Sequence, residues 1–260
     1  MRARITKVYL VGAGPGAPDL LTLRAARLLE AADVVLHDAL VHPDTLGLAR
    51  RARLIDVGKR SGRVSTDQRF IHRALIEAAH HHEIVVRLKG GDPMVFGRAK
   101  EELAALAEAG IEVEVVPGVT AALAAAASLK VSLTERGIAR SLALLTPRVG
   151  RGEQDSDWIA SAMGADTVAL YMAGSDAPTI AARLIEAGKP ARTPVALVES
   201  ASLPGERRRF ASLGELRVCA PESVEGPVVM LVGEVFASSL REARIAIEGG
   251  AARAAGEQQG

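Results

Sequence analysis

Cysteine is almost missing from these 260 residues: Cys219 stands alone. One thiol excludes an internal disulfide framework and any metal site built from several thiolates, and it fits a reducing compartment. No helix start or fixed cation is evident around it, so Cys219 reads as a buried or incidental thiol rather than a nucleophile. Excess charge of either sign is missing as well. The net charge of +1 gives no case for a nucleic-acid or membrane partner. The longest apolar stretches are strand-sized or broken by polar residues, too short to span a bilayer. The opening MRARITKVYLVGAG enters a glycine loop too soon for a signal peptide, so a cytoplasmic protein is expected. Lysine is scarce too, six against 26 arginines. That imbalance fits either a biased genome or a polyanionic ligand, since Arg holds carboxylates in bidentate fashion.

What is present is an ordinary globular balance, 48% hydrophobic and 24% charged, with length for one large domain or two of usual size. Short Val/Ile/Leu runs alternate with longer alanine-rich patterns of helical period. The runs KVYLVGA, DVVLHD, RLIDVG, EIVVRLKGG and EVEVVPG are separated by APDLLTLRAARLLEAA, HPDTLGLARRA, STDQRFIHRALIEAAHHH and GRAKEELAALAEAG. Such a βα repeat predicts a mainly parallel sheet with helices on its faces. Unbroken apolar runs predict strands buried on both sides. Residues 119–129, VTAALAAAASL, read as a small-residue helix crossing to a second set of strands: SLALLTP, TVALYMA, TPVALVES and GPVVMLVGEV. The expected organisation is an N-terminal α/β domain over 1–117, a C-terminal α/β domain over 118–242, and a disordered tail from 243. PRVGRGEQDSD (147–157) reads as a mobile loop.

Several motifs stand at predicted strand ends. In VGAGPGAPDLLT, Gly12, Gly14 and Ala17 spell GxGxxA, the dinucleotide fingerprint, which needs free N–H groups at a helix start. Pro15 and Pro18 each remove a donor and fix φ. Asp19 is placed to cap the coming helix and would repel a phosphate. A rigid wall against an uncharged part of a ligand fits better than a phosphate cradle. In RLKGGDPMVFGRAKEE, Gly90 and Gly91 directly follow a strand, and Asp92–Pro93 turns the chain towards a helix near Gly97. This is either a tight turn or a place for close ligand approach. Arg98 and Glu101, three apart, share a helix face, either as a surface pair or as site residues. Thr120 and Ala121 open a helix, lining a pocket or capping. Arg136 beside Gly137 is a loop cation. Asp38 and Lys59 lie just past strand ends, in a cleft or as a cap and a solvated turn. The His80–His82 run sits at a helix end with side chains about 100° apart, which favours the helix dipole over a metal.

Taken together, the blocks VYLVGAGPGAPDLLT, VVLHDALV, VGKRSG, RLKGGDPMVFGR, VVPGVTAA, SLTERGIARS and YMAG resemble, in order, the tetrapyrrole methyltransferases that use S-adenosylmethionine. They are most similar to the branch that methylates uroporphyrinogen III on carbon. Each block alone is weak; their order and spacing are specific. The resemblance covers about residues 6 to 238 and implies two α/β domains with an active-site cleft between them, and a homodimer. By the matching blocks it implies that Pro15, Gly90, Gly91, Asp92, Val95, Thr120, Ala121, Met172 and Ala201 contact the cofactor. Asp38 and Lys59 match positions of proton transfer, and Arg98, Glu101 and Arg136 match positions of substrate binding or catalysis. His37 departs from the usual Tyr, Thr146-Pro147-Arg148 from the usual TGH, and Ala201 from the usual glycine. The implied reaction is transfer of two methyl groups to uroporphyrinogen III, giving precorrin-2 by way of precorrin-1, with no metal, in cobalamin, sirohaem or haem d1 biosynthesis. The rival readings are a methyltransferase acting on a later precorrin, an NAD oxidoreductase and a non-catalytic binding protein.

Overall fold

The computed structural model describes residues 7–58, 68–149, 157–218 and 224–246. The chain divides into two compact units, Met1–Ala124 and Ala125–Gly260. Lys59 and Cys219 lie outside the described residues, as do most of the loop expected to be mobile (150–156) and the tail from 247. Within the expected tail, residues 243–246 instead continue a helical stretch that begins at 237.

The first unit holds β1 (Lys7–Gly12), α1 (Leu23–Ala31), β2 (Val34–His37), α2 (Pro43–Leu46), β3 (Arg53–Asp56), α3 (Gln68–His81), β4 (Ile84–Lys89), α4 (Ala99–Glu108) and β5 (Glu112–Val116). Its sheet runs in the order β3-β2-β4-β1-β5, with every pairing parallel. The alternation of β-runs and helical segments produces this arrangement, because a parallel neighbour can be reached only by a crossover. Side chains divide by the period of two. Val86 and Leu88 of β4 pack with Ala25 and Leu29 of α1 and with Val41 and Ala49. Val85 packs on the opposite face with Leu75 of α3 and Leu106 of α4. The sheet is therefore covered on both sides, as the unbroken apolar runs require. The chain leaves β1 and β4, neighbours at the centre, towards opposite faces, which opens a crevice at their carboxyl ends.

Helix α5 (Ala121–Leu129) spans the division between the units. The second unit holds β6 (Leu142–Leu145), α6 (Trp158–Gly164), β7 (Thr167–Tyr171), α7 (Ala177–Glu186), β8 (Pro194–Glu199), β9 (Arg207–Ser212), α8 (Leu213–Val218) and β10 (Val228–Val232). Its sheet runs β6-β7-β10-β8-β9. This sheet, unlike the first, is mixed. β6 pairs parallel with β7, whereas β10 is antiparallel to both β7 and β8, and β9 is antiparallel to β8. The cause is β9, which folds straight back along β8 and so needs no crossover. Its sequence, RRRFAS, has no apolar run at its start and does not read as a strand. Arg207 and Arg208 are exposed on it, the charged kind of edge that discourages sheet-to-sheet pairing. Trp158, Ile180, Leu184, Leu213 and Leu216 of the helices close over Val168, Leu170, Val195 and Met230 of the sheet.

Candidate active site

Three loops leave the carboxyl ends of β1, β4 and β5 and pack backbone to backbone. A Cβ on Gly12 would lie 2.6 Å from the Gly118 nitrogen and 2.7 Å from the Gly91 oxygen. A Cβ on Gly118 would collide with that same oxygen and lie 2.9 Å from the Gly12 Cα. Glycine is therefore required for the three loops to meet. Gly14 and Gly91 lock them as an isolated bridge: the Gly91 N–H donates to the Gly14 carbonyl at 2.7 Å, and the Gly14 N–H returns a bond at 3.2 Å. Asp92 completes the clamp. Its Oδ1 accepts from the Met94 N–H at 2.8 Å and its Oδ2 from the Gly118 N–H at 2.9 Å. The Asp92 carboxylate thus shapes the turn. Gly90 is open on its outer side, where only the Leu40 Cβ, at 3.4 Å, would meet an added Cβ.

The fingerprint reading of the first loop does not survive this geometry. After Gly14 the chain forms a 3-10 turn (Pro18–Leu20) before α1 begins at Leu23. Asp19 lies in that turn and does not cap α1. The cap is Thr22, whose hydroxyl accepts from the Ala25 N–H at 3.1 Å. With that donor satisfied and the helix set back from the glycines, no N–H array of the dinucleotide kind is formed.

The same carboxyl end gathers Pro15, Val95 and Thr120, the last buried, with Ala121 opening α5. Thr120 precedes the helix, and its carbonyl accepts from the N–H groups of Leu123 and Ala124. Arg98 is not on the face of α4, as the spacing suggests, but is its N-cap residue, at φ 54°. Phe96, at φ 52°, is also left-handed, so two bulky residues in one short loop hold a conformation that costs energy. Arg98 reaches Glu101 in fork fashion, Nε to Oε1 and Nη2 to Oε2, both at 2.7 Å. The pair is about half exposed.

Asp38 closes the end of β2. It is no helix cap: α2 is capped by His42. The Asp38 Oδ1 accepts from Arg87 Nη2 at 2.5 Å. Position 58, next to the undescribed Lys59, runs hard against Ala39, since a Cβ on Gly58 would collide with the Ala39 backbone. Behind Asp38 lies a set of charged side chains that the motif reading passed over. Arg87 and Lys89 of β4 are 2% and 4% exposed and Glu102 of α4 is 1% exposed. Glu102 Oε1 accepts from Arg87 Nε at 3.0 Å and from Lys89 Nζ at 3.1 Å. Burial, helped by the nearby Arg87 charge, pushes the Lys89 ammonium below its ordinary value. The sequence does carry a signal for this set: two cations two residues apart inside an apolar strand, both on one face of a sheet that is covered on both faces.

The second unit holds the remaining candidates. Arg136 is exposed at the tip of a turn closed by paired backbone bonds between Glu135 and Ala139, with Gly137 at φ 80°. Arg148 is also exposed. Met172 follows β7 at φ 58° and is 43% exposed. Ala201 follows β8 and is buried, flanked by Ser200 and Ser202 at φ 52° and 72°. Both therefore sit at strand ends where the backbone turns left-handed. Among the described residues no group of three or more His, Cys, Asp or Glu is placed to hold a metal ion. No helix among them is long and apolar enough to cross a membrane.

A parallel sheet whose loops meet glycine to glycine at its carboxyl ends, followed by a second, mixed sheet, defines a two-unit α/β protein. The particular family follows from comparison: the model of the tetrapyrrole (corrin/porphyrin) methylases matches residues 7–217, and this chain belongs to that family. It is 44% identical over 230 residues to the uroporphyrinogen-III C-methyltransferase of Pseudomonas aeruginosa, covering 88% of this chain and 94% of that protein. It is 46% identical over 231 residues to the siroheme synthase of Azotobacter vinelandii, covering 88% of this chain but only 50% of that protein. The chain thus spans about half the length of that siroheme synthase. The crystal structure of uroporphyrin-III C-methyltransferase from Thermus thermophilus complexed with S-adenosylhomocysteine superposes with a TM-score of 0.79 at 43% identity, covering 89% of this chain and 99% of that one.

Proposed function

We propose that this chain transfers two methyl groups in succession from S-adenosylmethionine to carbon atoms of uroporphyrinogen III, giving precorrin-2. The observation that carries the reading is the glycine-walled meeting of the loops after β1, β4 and β5, in a chain 44% identical to a named uroporphyrinogen-III C-methyltransferase over nearly that protein's whole length. Bare backbone open at Gly90 suits the flat, uncharged part of a nucleoside, and the missing helix-start donors argue against a dinucleotide pyrophosphate. S-adenosylmethionine supplies a methyl group already activated on a sulfonium, so the reading requires no metal.

The protein's work is then mostly orientation. Pro15, Gly90, Gly91, Val95, Thr120, Ala121, Met172 and Ala201 are assigned to cofactor contact, and Asp92 to shaping the turn they depend on. Asp38, held by Arg87 yet 30% exposed, is assigned the proton that leaves the macrocycle. Lys59 is assigned to the same proton traffic. Arg98 with its partner Glu101, Arg136 and Arg148 are exposed fork-shaped cations and are assigned to the substrate carboxylates. A cytoplasmic homodimer belongs to the same reading. Anaerobic incubation with S-adenosylmethionine and uroporphyrinogen III, followed by mass spectrometry, tests it. A gain of two methyl units is expected. No gain with verified substrate and cofactor, or methylation of a later precorrin only, overturns it.

A further inference from the structure

The charged set behind Asp38 has no place in that assignment and is costly to maintain. Three ionisable side chains, Arg87, Lys89 and Glu102, are each no more than 4% exposed, and well-packed apolar residues are often at least as stable in such positions. Their geometry points outward to the site. Glu102 is the hub, with Oε1 taking Arg87 Nε at 3.0 Å and Lys89 Nζ at 3.1 Å, while its Oε2 is buried without a hydrogen-bond partner. Arg87 is held at all three nitrogens: Nε by Glu102, Nη1 by the Leu88 carbonyl at 3.1 Å and Nη2 by Asp38. The Leu88 carbonyl also takes the Asp38 N–H at 3.2 Å, so the backbone and side chain of Asp38 are tied to the same two residues of β4. Lys89 extends the set beneath the loop that presents Arg98, its Cε lying 3.1 Å from where a Gly97 Cβ would be.

We infer that Glu102 is a positioning residue for Asp38. It fixes the Arg87 guanidinium, and the guanidinium holds the Asp38 carboxylate in the one direction useful for proton removal. The inference rests on the assignment of Asp38 as base in the reading above. A fork-shaped cation clamped at one end is a rigid arm; freed from Glu102, it keeps its charge but loses its aim. Asp38 is the only member of the set with substantial exposure, so it is where the buried order is delivered.

The test is a cycle of Asp38→Asn, Glu102→Gln and the double variant, measuring kcat, KM for uroporphyrinogen III and S-adenosylhomocysteine affinity. Glu102→Gln is expected to lower kcat by about 100-fold, the scale of an ångström-sized misplacement, with KM and S-adenosylhomocysteine affinity within about twofold. The double variant is expected to be no slower than Asp38→Asn alone, because residues acting as a unit are not additive. An unchanged kcat in Glu102→Gln, or losses that multiply in the double variant, overturns the inference. Asp38→Asn turning over at the parental rate overturns the base assignment itself, which separates the two failures. Where Glu102→Gln does not fold, Arg87→Lys serves under the same criteria, since an ammonium cannot span Glu102 and Asp38 together.

Discussion

Arg98 shows how far one residue's role depends on its neighbours. In sequence it is the first polar residue of a helix with an acidic partner three positions on, and such pairs are worth little on a surface. In the fold it is a left-handed N-cap at φ 54°, held in fork geometry beside a turn of bare backbone. A strained backbone kept only for a surface ion pair gains little; in the function proposed above, it serves to present a planar cation to a substrate carboxylate. Arg98→Ala is therefore expected to lose turnover while still binding S-adenosylhomocysteine, as calorimetry would show. Loss of both would mean that Arg98 serves only the shape of the loop.

At the scale of elements, the site is a property of loop ends that belong to separate strands. Gly12, Gly91 and Gly118 are far apart in the chain and meet only because β4-β1-β5 are adjacent and parallel. The glycines were visible in the sequence; the reason each must be glycine was not. Gly118→Ala places a Cβ against the Gly91 carbonyl oxygen, a backbone atom that cannot rotate away. It is expected to cost about 1–3 kcal/mol of stability, the usual range for overpacking, and to weaken S-adenosylhomocysteine binding together with it. Chemical denaturation and calorimetry on one preparation check both. Wild-type values in both would show that the loops separate freely. The inner strands β1, β2 and β4 could be read from apolar runs, because strands buried on both faces show their character in composition. The edge strands β3 and β5 are more exposed and were legible from their place in the alternation with helices. β9 could not, because an edge strand beginning with three arginines carries no such signal.

At the scale of the whole molecule, several carboxylates are held below their ordinary values by donors fixed in the fold, and they set its response to acid. Glu199 is the clearest. Its hydrogen bonds from Arg207, then those from the Gly226 and Glu225 N–H groups, keep its carboxyl low against the opposing effect of burial. A group depressed in the folded state binds its proton more readily when unfolded. Its stabilising contribution is therefore present above the ordinary carboxylate value and fades as pH falls through the lower, folded value. Glu199→Gln should lower stability at neutral pH and flatten the fall in melting temperature below about pH 4.5. Parallel melting curves for the two proteins across that acid range would refute this. Glu199 also ends β8 directly before Ser200 and Ala201, so the same variant tests whether that candidate cofactor turn depends on its anchor.

The sequence alone determined the alternation of strands and helices, the glycine turns and the ordered blocks that mark the tetrapyrrole methylases. All of these are local: period, turn chemistry and short motifs are written in neighbouring residues. Tertiary structure decided what depends on residues distant in the chain. It placed Thr22 rather than Asp19 at the head of α1, made the second sheet mixed, engaged both oxygens of Asp92 with backbone, and drew Arg87, Lys89 and Glu102 into a buried set behind Asp38. A charge in a strand shows in sequence that something must compensate it, because burial without a partner is prohibitive. Which residue compensates it, and what that partner in turn holds in place, is fixed only when the sheet and its covering helix are packed.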